Sequence, residues 1–388
     1  MAVCATGMKY KDRDDLLVME FESGTSLAGV FTQSATASAP VLASKEVAQR
    51  GFVQAILVNA GNANAFTGAS GVATVEACVH QLAECLDLDE EMICTASTGV
   101  IGEPLPPHLI TDHYTNLKEI LAKDEADRAD WQDAANAIRT TDTFAKGASA
   151  TLTIAGQDVH ISGIAKGSGM IAPDMATMLG FIATNATIAP DELSTYLGAL
   201  VKTSFNAITV DSDTSTSDSV YLAATNKGPA LKSEKDKEAF QSALRHVMQD
   251  LAIQIVKDGE GATKLITIDV TGAISDESAH KIAMAIGNSP LVKTAIAGED
   301  ANWGRIVMAV GKAGEAADRD LLAIAIGGYQ ITAHGQRRDD YDETPLAAYM
   351  KGDEIHIEVD IGLGKGQARI WSCDLTHGYI SINADYRS

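Results

Sequence analysis

The sequence predicts an α/β protein in which mixed sheets are layered with helices, and three observations support this class. Residues 355–361 alternate apolar and polar side chains, and residues 266–270 do the same over a shorter length. A period of two is the pattern of a half-buried strand. Residues 16–21 and 51–58 are apolar runs of strand length. Between residues 240 and 255, by contrast, apolar side chains recur at helical spacing.

Turn and capping signals predict the other elements. Ser233 with Asp236 resembles a capping box that opens the long helix, and the glycines on either side of Glu260 end it. Further helices are predicted over 72–85, from Pro106 or Pro107 toward 121, over 125–139 and from Pro190. Further strands are predicted over 92–95, as a hairpin within 152–161, from Thr177 and over 379–382. Polar loops are predicted over 59–68, 205–218 and 298–305.

The composition limits the classes of partner. The chain has 388 residues, which is enough for two domains by size. Its apolar fraction of 46% is typical of a well-buried globular protein, and its formal net charge is −22. Nucleic acids and anionic membranes attract clustered Lys and Arg side chains. The acidity therefore argues against both as partners.

Cysteine and histidine usage argues against disulfides, metals and nucleotide cofactors. The five cysteines are irregularly spaced without a CxxC pair, which disfavours a disulfide framework and a zinc site. Nine histidines lack ligand spacing, and no nucleotide-binding glycine motif follows a strand. The N-terminus has no apolar signal-peptide region, and no run approaches membrane-spanning length. We therefore expect a cytoplasmic protein that uses no metal or other cofactor.

Residues 166–181, KGSGMIAPDMATMLGF, form the most unusual stretch of the chain. Two glycines beside Lys166 and a Pro-Asp pair favour turns, and apolar residues follow from Met178. Thr177 at this junction is either a β-branched residue that starts a strand or a nucleophile that frees itself. In the second case its hydroxyl attacks the Ala176 carbonyl, and cleavage leaves Thr177 as a new N-terminus whose amine is a general base. Composition alone does not choose between these interpretations.

Other positions also have an ordinary and a functional interpretation. Thr98 and Gly99 follow an apolar run, where they form either a turn or an oxyanion hole. Lys166 is either a solvated surface charge or a partner for a substrate carboxylate. Glu260 is either an exposed loop charge or a functional group that the flanking glycines allow to approach a ligand. The hydroxyl-rich segment 140–143 is ordinary helix-capping and turn chemistry unless it binds substrate.

The string KGSGMIAPDMATML resembles the signature of the ornithine acetyltransferase (glutamate N-acetyltransferase) family. The resemblance extends to the Ser97-Thr98-Gly99 string and to nearly the whole chain, although Gln33 and Ser34 stand where many members carry an asparagine. It implies an N-terminal-nucleophile type fold built from two self-cleaved fragments. Cleavage between Ala176 and Thr177 would give residues 1–176, with the oxyanion-hole loop, and residues 177–388, beginning with the nucleophile.

The resemblance also implies a reaction, which is transfer of an acetyl group from N2-acetylornithine to glutamate in arginine biosynthesis, through an acetyl ester on Thr177. It assigns the oxyanion hole to Thr98 and Gly99, and proton transfer and binding of the substrate amino group to Glu260. The other implied substrate-binding residues are Thr140 (of the 140–143 cluster), Lys166, Asn383 and Ser388. From their position alone, the ordinary interpretation of Asn383 and Ser388 is that they are residues of a frayed terminus.

Several alternatives stay open at this stage. Acetyl-CoA is a conceivable second acetyl donor, which would make the enzyme bifunctional. The two fragments are expected to assemble as a heterotetramer of two alpha and two beta chains. The rival functions are a self-cleaving aminopeptidase or amidohydrolase and an amino-acid-binding relative without catalysis.

Overall fold

The fold is taken from a computed structural model of the chain, which describes residues 1–172 and 178–384. Its strands are β1 (Ala2–Cys4), β2 (Leu16–Glu20), β3 (Ser26–Phe31), β4 (Ala55–Asn62), β5 (Ile93–Val100), β6 (Lys146–Ile154), β7 (Gln157–Lys166), β8 (Leu179–Thr184), β9 (Ile208–Thr209), β10 (Ser219–Ala224), β11 (Leu265–Ala273), β12 (Ala323–Ile326), β13 (Tyr329–Ala333), β14 (Gln336–Arg337), β15 (Glu354–Asp360) and β16 (Gly366–Cys373).

The α-helices are α1 (Ala39–Arg50), α2 (Gly68–Leu86), α3 (His108–Thr111), α4 (Tyr114–Leu121), α5 (Trp131–Ala137), α6 (Pro190–Leu200), α7 (Glu234–Lys257), α8 (Asp276–Gly287), α9 (Pro290–Ala297), α10 (Trp303–Gly311), α11 (Glu343–Tyr349) and α12 (His377–Ala384). Among the described residues, no helix has both the length and the apolar character needed to cross a membrane.

Within the described ranges, the strands form three sheets, ordered β1-β2-β4-β5, β3-β10-β8-β7-β6 and β14-β13-β12-β15-β11-β16-β9. All three are mixed. In the second sheet β8 pairs parallel with β10 and antiparallel with β7. In the third, β11 pairs parallel with β15 and antiparallel with β16. The predicted α/β class with mixed sheets is therefore confirmed.

The chain divides into two compact units. The first comprises Met1–Asn206 and Asp213–Ile255, and the second comprises Ala207–Ser212 and Val256–Ser388. This division differs from the predicted fragments 1–176 and 177–388, because β7 and β8 lie on either side of the predicted cleavage point and both belong to the first unit. A division by compactness does not test a cleavage, so the fragment boundary stays a prediction.

In the first unit, two sheets pack face to face with helices on the outside. Leu17 of β2 contributes to a buried core shared with Phe181 and Tyr221 of the five-stranded sheet. Its neighbour Leu16 joins a second cluster with Leu82 of α2. Because successive residues of a strand point to opposite faces, the four-stranded sheet is buried on both sides.

The outer face of the five-stranded sheet is covered by α7. Gly163 of β7 neighbours Ile164 in the chain and therefore points away from the shared core that contains Ile164. A Cβ on Gly163 would lie 3.2 Å from a methyl group of Leu251 in α7. The first unit is thus ordered helix, sheet, sheet, helix.

The second unit is built on the seven-stranded sheet. Ile355, Ile357 and Val359 of β15 are buried, as the alternating pattern predicts. Helix α8 packs against β11 and β16 so closely that a Cβ on Gly287 would lie 2.7 Å from Ile370. The apolar face of the sheet is therefore covered by a helix of the same unit.

Several local predictions are confirmed. Ser233 and Asp236 form the reciprocal capping box, with Ser233 N donating to Asp236 Oδ2 and Asp236 N donating to Ser233 Oγ. Helix α7 ends before Gly259, α2 covers the predicted helix over 72–85, and α6 begins at Pro190. The predicted hairpin is β6 and β7, paired along their whole length.

The loop predicted over 59–68 begins later than expected, and the turn interpretation of residues 97–99 is wrong, because strands continue through polar residues. β4 extends through Asn59 to Asn62, and β5 extends through Ser97, Thr98 and Gly99 to Val100. The Asn59 side chain is satisfied inside the sheet, since its amide donates to Asn62 O and its oxygen accepts from Ser97 Oγ. A polar side chain can occupy a buried strand when each of its groups is bonded.

The predicted last strand over 379–382 is also wrong, because these residues belong to α12. The Thr376 hydroxyl accepts a hydrogen bond from Gly378 N and so caps the start of this helix. Ile380 and Ile382 are exposed. A short apolar run does not distinguish a strand from a helix.

The first and last residues of several other predicted helices and loops differ from those in the structure. The helix predicted from Pro106 or Pro107 is divided into α3 and α4, and the one predicted over 125–139 is reduced to α5 because Asp130 and Asp133 form a capping box that starts it there. The loops predicted over 205–218 and 298–305 contain β9 and the start of α10. β8 begins at Leu179, and Thr177 lies outside the described residues.

Candidate active site

A glycine pair between β4 and β5 shapes the first part of the site. Gly99 has φ +135° and lies opposite Gly61, whose φ is +118°. A Cβ on Gly99 would lie 2.2 Å from the carbonyl carbon of Gly61. A side chain at position 99 would clash with the backbone of Gly61, so only glycine fits there. Thr98 directly precedes this close contact between the two strands.

Thr98 and Lys166 meet in the interior of the first unit. Lys166 Nζ donates a 3.1 Å hydrogen bond to Thr98 Oγ1, and the two residues are 4% and 6% exposed. Lys166 is the last residue of β7. The interpretation of Lys166 as a solvated surface charge is therefore wrong. Two residues 68 positions apart are brought together, as a joint functional role requires.

Asp142 connects the threonine cluster to the start of the glycine-rich segment. Its Oδ1 accepts from Lys146 Nζ at 2.6 Å and from Gly167 N at 2.7 Å, and its Oδ2 accepts from Thr140 N at 3.0 Å. Burial opposes ionisation, but the charges of Lys166 and Lys146 and these hydrogen bonds lower the pKa of Asp142 to about 2. Asp142 is therefore a carboxylate that fixes the backbone on both sides of the site.

Among the contacts of the described residues, Thr140 takes part through its backbone, and its predicted role in binding substrate stays a prediction. Its N–H bonds to Asp142, whereas the neighbouring Thr141 hydroxyl bonds to Ser168 Oγ at 2.6 Å. The sequence pattern indicates the cluster 140–143 as a whole and does not single out Asp142. Its only local signal is a lysine four residues later, and that spacing is common.

Met178 is the first described residue after Thr177, and two hydrogen bonds hold it against β10. Met178 N donates to Asp218 Oδ1 at 2.8 Å, and Met178 O accepts from Ser219 N at 3.1 Å. Asp218 is buried just before β10. In the sequence, Asp218 stands at the end of the predicted polar loop 205–218, where no local signal indicates a function.

The second unit brings Glu260 and Asn383 together. Asn383 Nδ2 donates to Glu260 Oε2 at 2.7 Å and to Tyr379 O at 3.0 Å. Both Glu260 and Asn383 reach solvent. Because α12 is a helix, Asn383 lies one turn after Tyr379 on the same face. The helical conformation of residues 379–382, in place of the predicted strand, therefore explains how Asn383 reaches Glu260.

Close backbone packing positions the loop that carries Glu260. Gly261 has φ +72°, and a Cβ there would lie 2.3 Å from Tyr379 N at the start of α12. Gly261 O also accepts a 2.6 Å hydrogen bond from the Thr376 hydroxyl. The close neighbour of Gly261 is helix α12, so the predicted approach of Glu260 to a ligand stays a prediction.

Three predicted site residues, Ala176, Thr177 and Ser388, lie outside the described residues. In the part of the chain that the structure describes, no group of three or more His, Cys, Asp and Glu side chains is arranged to hold a metal ion. The described site residues thus form two groups, one around Lys166 in the first unit and one around Glu260 in the second.

Comparison with known proteins assigns the family. The ArgJ family model matches residues 1–388. The chain belongs to the ArgJ family. Its similarity to named ArgJ proteins is high: the arginine biosynthesis bifunctional protein ArgJ of Zymomonas mobilis is 54% identical over 100% of this chain and 94% of its own. The protein of the same name from Gluconobacter oxydans is 52% identical over 100% of this chain and 91% of its own.

A solved ArgJ structure agrees with this assignment. The crystal structure of the arginine biosynthesis bifunctional protein ArgJ from Bacillus halodurans is 42% identical, with a TM-score of 0.51, over 53% of this chain and 97% of its own. The family predicted from the KGSGMIAPDMATML string is therefore confirmed. The protein is an ArgJ-family enzyme.

Proposed function

We propose that this ArgJ-family enzyme transfers the acetyl group of N2-acetylornithine to glutamate through an acetyl ester on Thr177, after it has cleaved itself between Ala176 and Thr177. The observation that carries the proposal is the buried hydrogen bond from Lys166 to Thr98, beside a glycine that no other residue can replace. This hydrogen bond joins a cation and a hydroxyl group in the interior, at the start of the segment 166–181 that contains Thr177.

The Lys166 bond prepares Thr98 to stabilise an oxyanion. Because Thr98 Oγ1 accepts from the ammonium group, its own hydrogen is directed elsewhere and can be donated to the oxygen of a tetrahedral intermediate. The positive charge also polarises that hydroxyl. Preorganised donors of this kind are usually the largest single contribution to acyl-transfer catalysis.

The chemistry runs in two half-reactions. Thr177 Oγ1 attacks the acetyl carbonyl carbon, its proton passes to the free amine of Thr177, and the carbon–nitrogen bond to ornithine breaks as ornithine takes up that proton. Glutamate then enters, its amine attacks the acetyl ester, and the Thr177 oxygen recovers a proton as N-acetylglutamate forms. Glu260, held by Asn383, binds the amino group of the incoming or leaving amino acid and assists its proton transfer.

The sheet topology supports lasting association of the two fragments. β8 begins just after the proposed cleavage point and lies between β7 of the first fragment and β10 of the second, while β10 pairs with β3 of the first. Cutting one peptide bond leaves these strand pairs intact. The Bacillus halodurans chain, which corresponds to just over half of this one, has the length expected of a single fragment.

Two such pairs would form the heterotetramer, in the cytoplasm and without a metal or other cofactor. Acetyl-CoA as a second donor is compatible with the word bifunctional in the relatives' names. The runner-up, an aminopeptidase or amidohydrolase of the same self-cleaving class, differs in passing the acyl group to water rather than to glutamate.

The decisive variant is Thr177→Ala, with Thr177→Ser as the matched control that keeps a hydroxyl. We expect the Ala variant to remain one chain by intact mass and to form no acetylglutamate from acetylornithine, while the Ser variant is cut and retains part of the activity. A Thr177→Ala protein that is cut and active would refute the proposal. Acetate release that exceeds acetylglutamate formation in the native enzyme would favour the hydrolase instead.

A further inference from the structure

Asp211 is a carboxylate close to Glu260, and the mechanism above gives it no role. It follows β9, which lies at the edge of the seven-stranded sheet, and it belongs with Glu260 and Asn383 to the second unit. The residue is partly exposed. In the sequence it is one of several polar residues of the loop predicted over 205–218, where its position relative to Glu260 is not visible.

Close packing joins the segment of Asp211 to the turn that carries Glu260. Val210 is buried, and a Cβ on Gly259 would lie 3.3 Å from its Cγ1 methyl group. Val210 directly precedes Asp211 in the chain, and Gly259 directly precedes Glu260. Each carboxylate therefore stands one residue beyond the point where the two segments touch.

Tyr379 of α12 contacts both segments. Its hydroxyl donates a hydrogen bond to Asp211 Oδ2 at 3.3 Å. Its carbonyl accepts from Asn383 Nδ2, which also donates to Glu260 Oε2, and its backbone nitrogen packs against Gly261. The backbone of Tyr379 thus lies on the side of Glu260 and its hydroxyl on the side of Asp211. The two carboxylates stand at opposite ends of one tyrosine side chain.

The proposed acetyl donor has groups that match this arrangement. The α-nitrogen of N2-acetylornithine is acylated, so the only cation of this substrate is the ammonium group at the end of its side chain. The carbon chain between these two nitrogens is comparable in length to a tyrosine side chain. With the α-nitrogen at Glu260, the ammonium group reaches toward the second carboxylate. A cation that leaves water needs such a partner.

We propose that Asp211 binds the side-chain ammonium group of N2-acetylornithine and so selects this acetyl donor, while Tyr379 holds the Asp211 carboxylate in place. This inference rests on the proposed function, because it names a further substrate contact of the same reaction. A hydrogen bond between an ammonium group and a carboxylate is charge-assisted and stronger than one between neutral groups. Asp211 touches none of the reacting atoms, so its effect is on binding of the donor.

Glutamate presents a carboxylate where ornithine presents an ammonium group. The Tyr379 hydroxyl can donate to that carboxylate, because a phenolic hydrogen turns toward whichever acceptor is available. The charge of Asp211 repels it. Removal of this charge should therefore weaken binding of acetylornithine and leave binding of glutamate unchanged or stronger.

The test combines one substitution in the protein with one change in the substrate. N2-acetylnorvaline has the carbon skeleton of acetylornithine without the side-chain ammonium group. For the native enzyme we expect kcat/KM for acetylornithine to exceed that for acetylnorvaline by about 10- to 100-fold, the usual range for a hydrogen bond to a charged group. In Asp211→Asn, which keeps an oxygen for the Tyr379 hydroxyl, we expect the two donors to lie within about threefold of each other.

Asp360→Asn is the matched control. Asp360 is an exposed carboxylate of the same unit at the end of β15, and its Oδ1 accepts the Gly362 N–H at 3.0 Å. The substitution removes the same charge and keeps an oxygen acceptor, but the hydrogen bond concerned holds a turn. We expect this variant to prefer acetylornithine over acetylnorvaline as strongly as the native enzyme does.

The outcomes separate this inference from the proposed function. If Asp211→Asn, folded by circular dichroism, loses kcat/KM equally for both donors, Asp211 is only structural and the inference is refuted. A KM for glutamate that rises as much as the KM for acetylornithine also refutes it. If the native enzyme uses both donors equally well, the inference fails while the proposed function stands. If the native enzyme forms no acetylglutamate from acetylornithine, the proposed function fails and this inference fails with it.

Discussion

The two groups of site residues are held in place by different physical means. In the first unit, Lys166, Thr98 and Asp142 are buried, and charge holds them together: a carboxylate accepts from one lysine and lies in the field of another. In the second unit, Glu260 and Asn383 reach solvent, and the loop of Glu260 is held by backbone packing at Gly261. The first group is held in place by electrostatic interactions in the interior, and the second by close packing of the backbone.

This difference predicts different consequences of mutation. A buried ion pair is costly to break because the remaining charge cannot be hydrated. An exposed amide–carboxylate bond contributes little, because water replaces either partner. Substitutions in the first group should therefore affect both folding and catalysis. Substitutions in the second group should affect mainly the binding and turnover of substrate. Three variants test this contrast, from the largest expected effect to the smallest.

Asp142→Asn should have the largest effect. It leaves Lys146 buried without its carboxylate, and breaking a buried pair in this way costs about 3–5 kcal/mol of the free energy of unfolding. Denaturant unfolding monitored by circular dichroism measures the loss. Glu192→Gln is the control, because it removes the same charge from a partly exposed pair with Lys237, where about 1 kcal/mol or less is expected. Equal losses in the two variants would contradict the contrast.

The pH dependence of the Asp142 effect has a definite sign. The folded-state pKa is lowered from 3.8 to about 2, so the carboxylate stabilises the native chain above pH 3.8 and loses that contribution as the pH falls toward 2. The difference in unfolding free energy between native and Asp142→Asn should therefore narrow from pH 5 to pH 3. A difference that widens on acidification would show that Asp142 is not an ionised partner.

Lys166→Met should have an intermediate effect, on catalysis as well as on stability. The methionine fills similar space but removes the hydrogen bond that orients Thr98. We expect kcat/KM for acetylornithine to fall about 100-fold, as for loss of one oxyanion donor. Lys264→Met is the control, since among the described residues the ammonium group of this buried lysine of the second unit bonds the Gly352 carbonyl and pairs with Glu299, neither of which is a site residue. Activity of Lys166→Met within threefold of native would rule out the orienting role.

Asn383→Ala should have the smallest effect. It removes the 2.7 Å bond to Glu260 at a solvated position, so a net loss of about 1 kcal/mol, or about fivefold in kcat/KM, is expected with unchanged stability. Asn302→Ala removes a similar amide–carboxylate bond, to Asp300, and should leave activity unchanged. If Asn383→Ala lost nearly all activity, backbone packing alone would not position Glu260. That result would contradict the contrast between the two groups.

The sequence predicted parts of the site and not others, for identifiable reasons. Thr98, Gly99, Lys166, Glu260 and Asn383 were all named from short strings, and the structure joins Thr98 with Lys166 and Glu260 with Asn383, each pair within its own unit. Asp142 and Asp218 were not recognised as site residues. Their importance depends on partners at Gly167 and Met178, which lie 25 and 40 residues away in the chain.

The fold errors have a similar origin. A turn was one of the two interpretations of residues 97–99, because glycine and small hydroxyl residues are common in turns, but pairing of β5 with β4 extends the strand and the facing glycines allow it. Residues 379–382 were predicted as a strand from four positions, whereas the capping Thr376 and the packing of Gly261 favour the helix. In both cases a contact with a distant segment outweighed local propensity.

By itself the sequence determined the family, the long capped helix α7 and the alternating strand β15, because caps and periodicity involve residues only a few positions apart. Only the tertiary structure decided that a carboxylate links the threonine cluster to Gly167, that Gly61 faces Gly99, and that Met178 is held by Asp218. These contacts join segments that the chain separates widely, and their energies depend on burial, which no local pattern encodes.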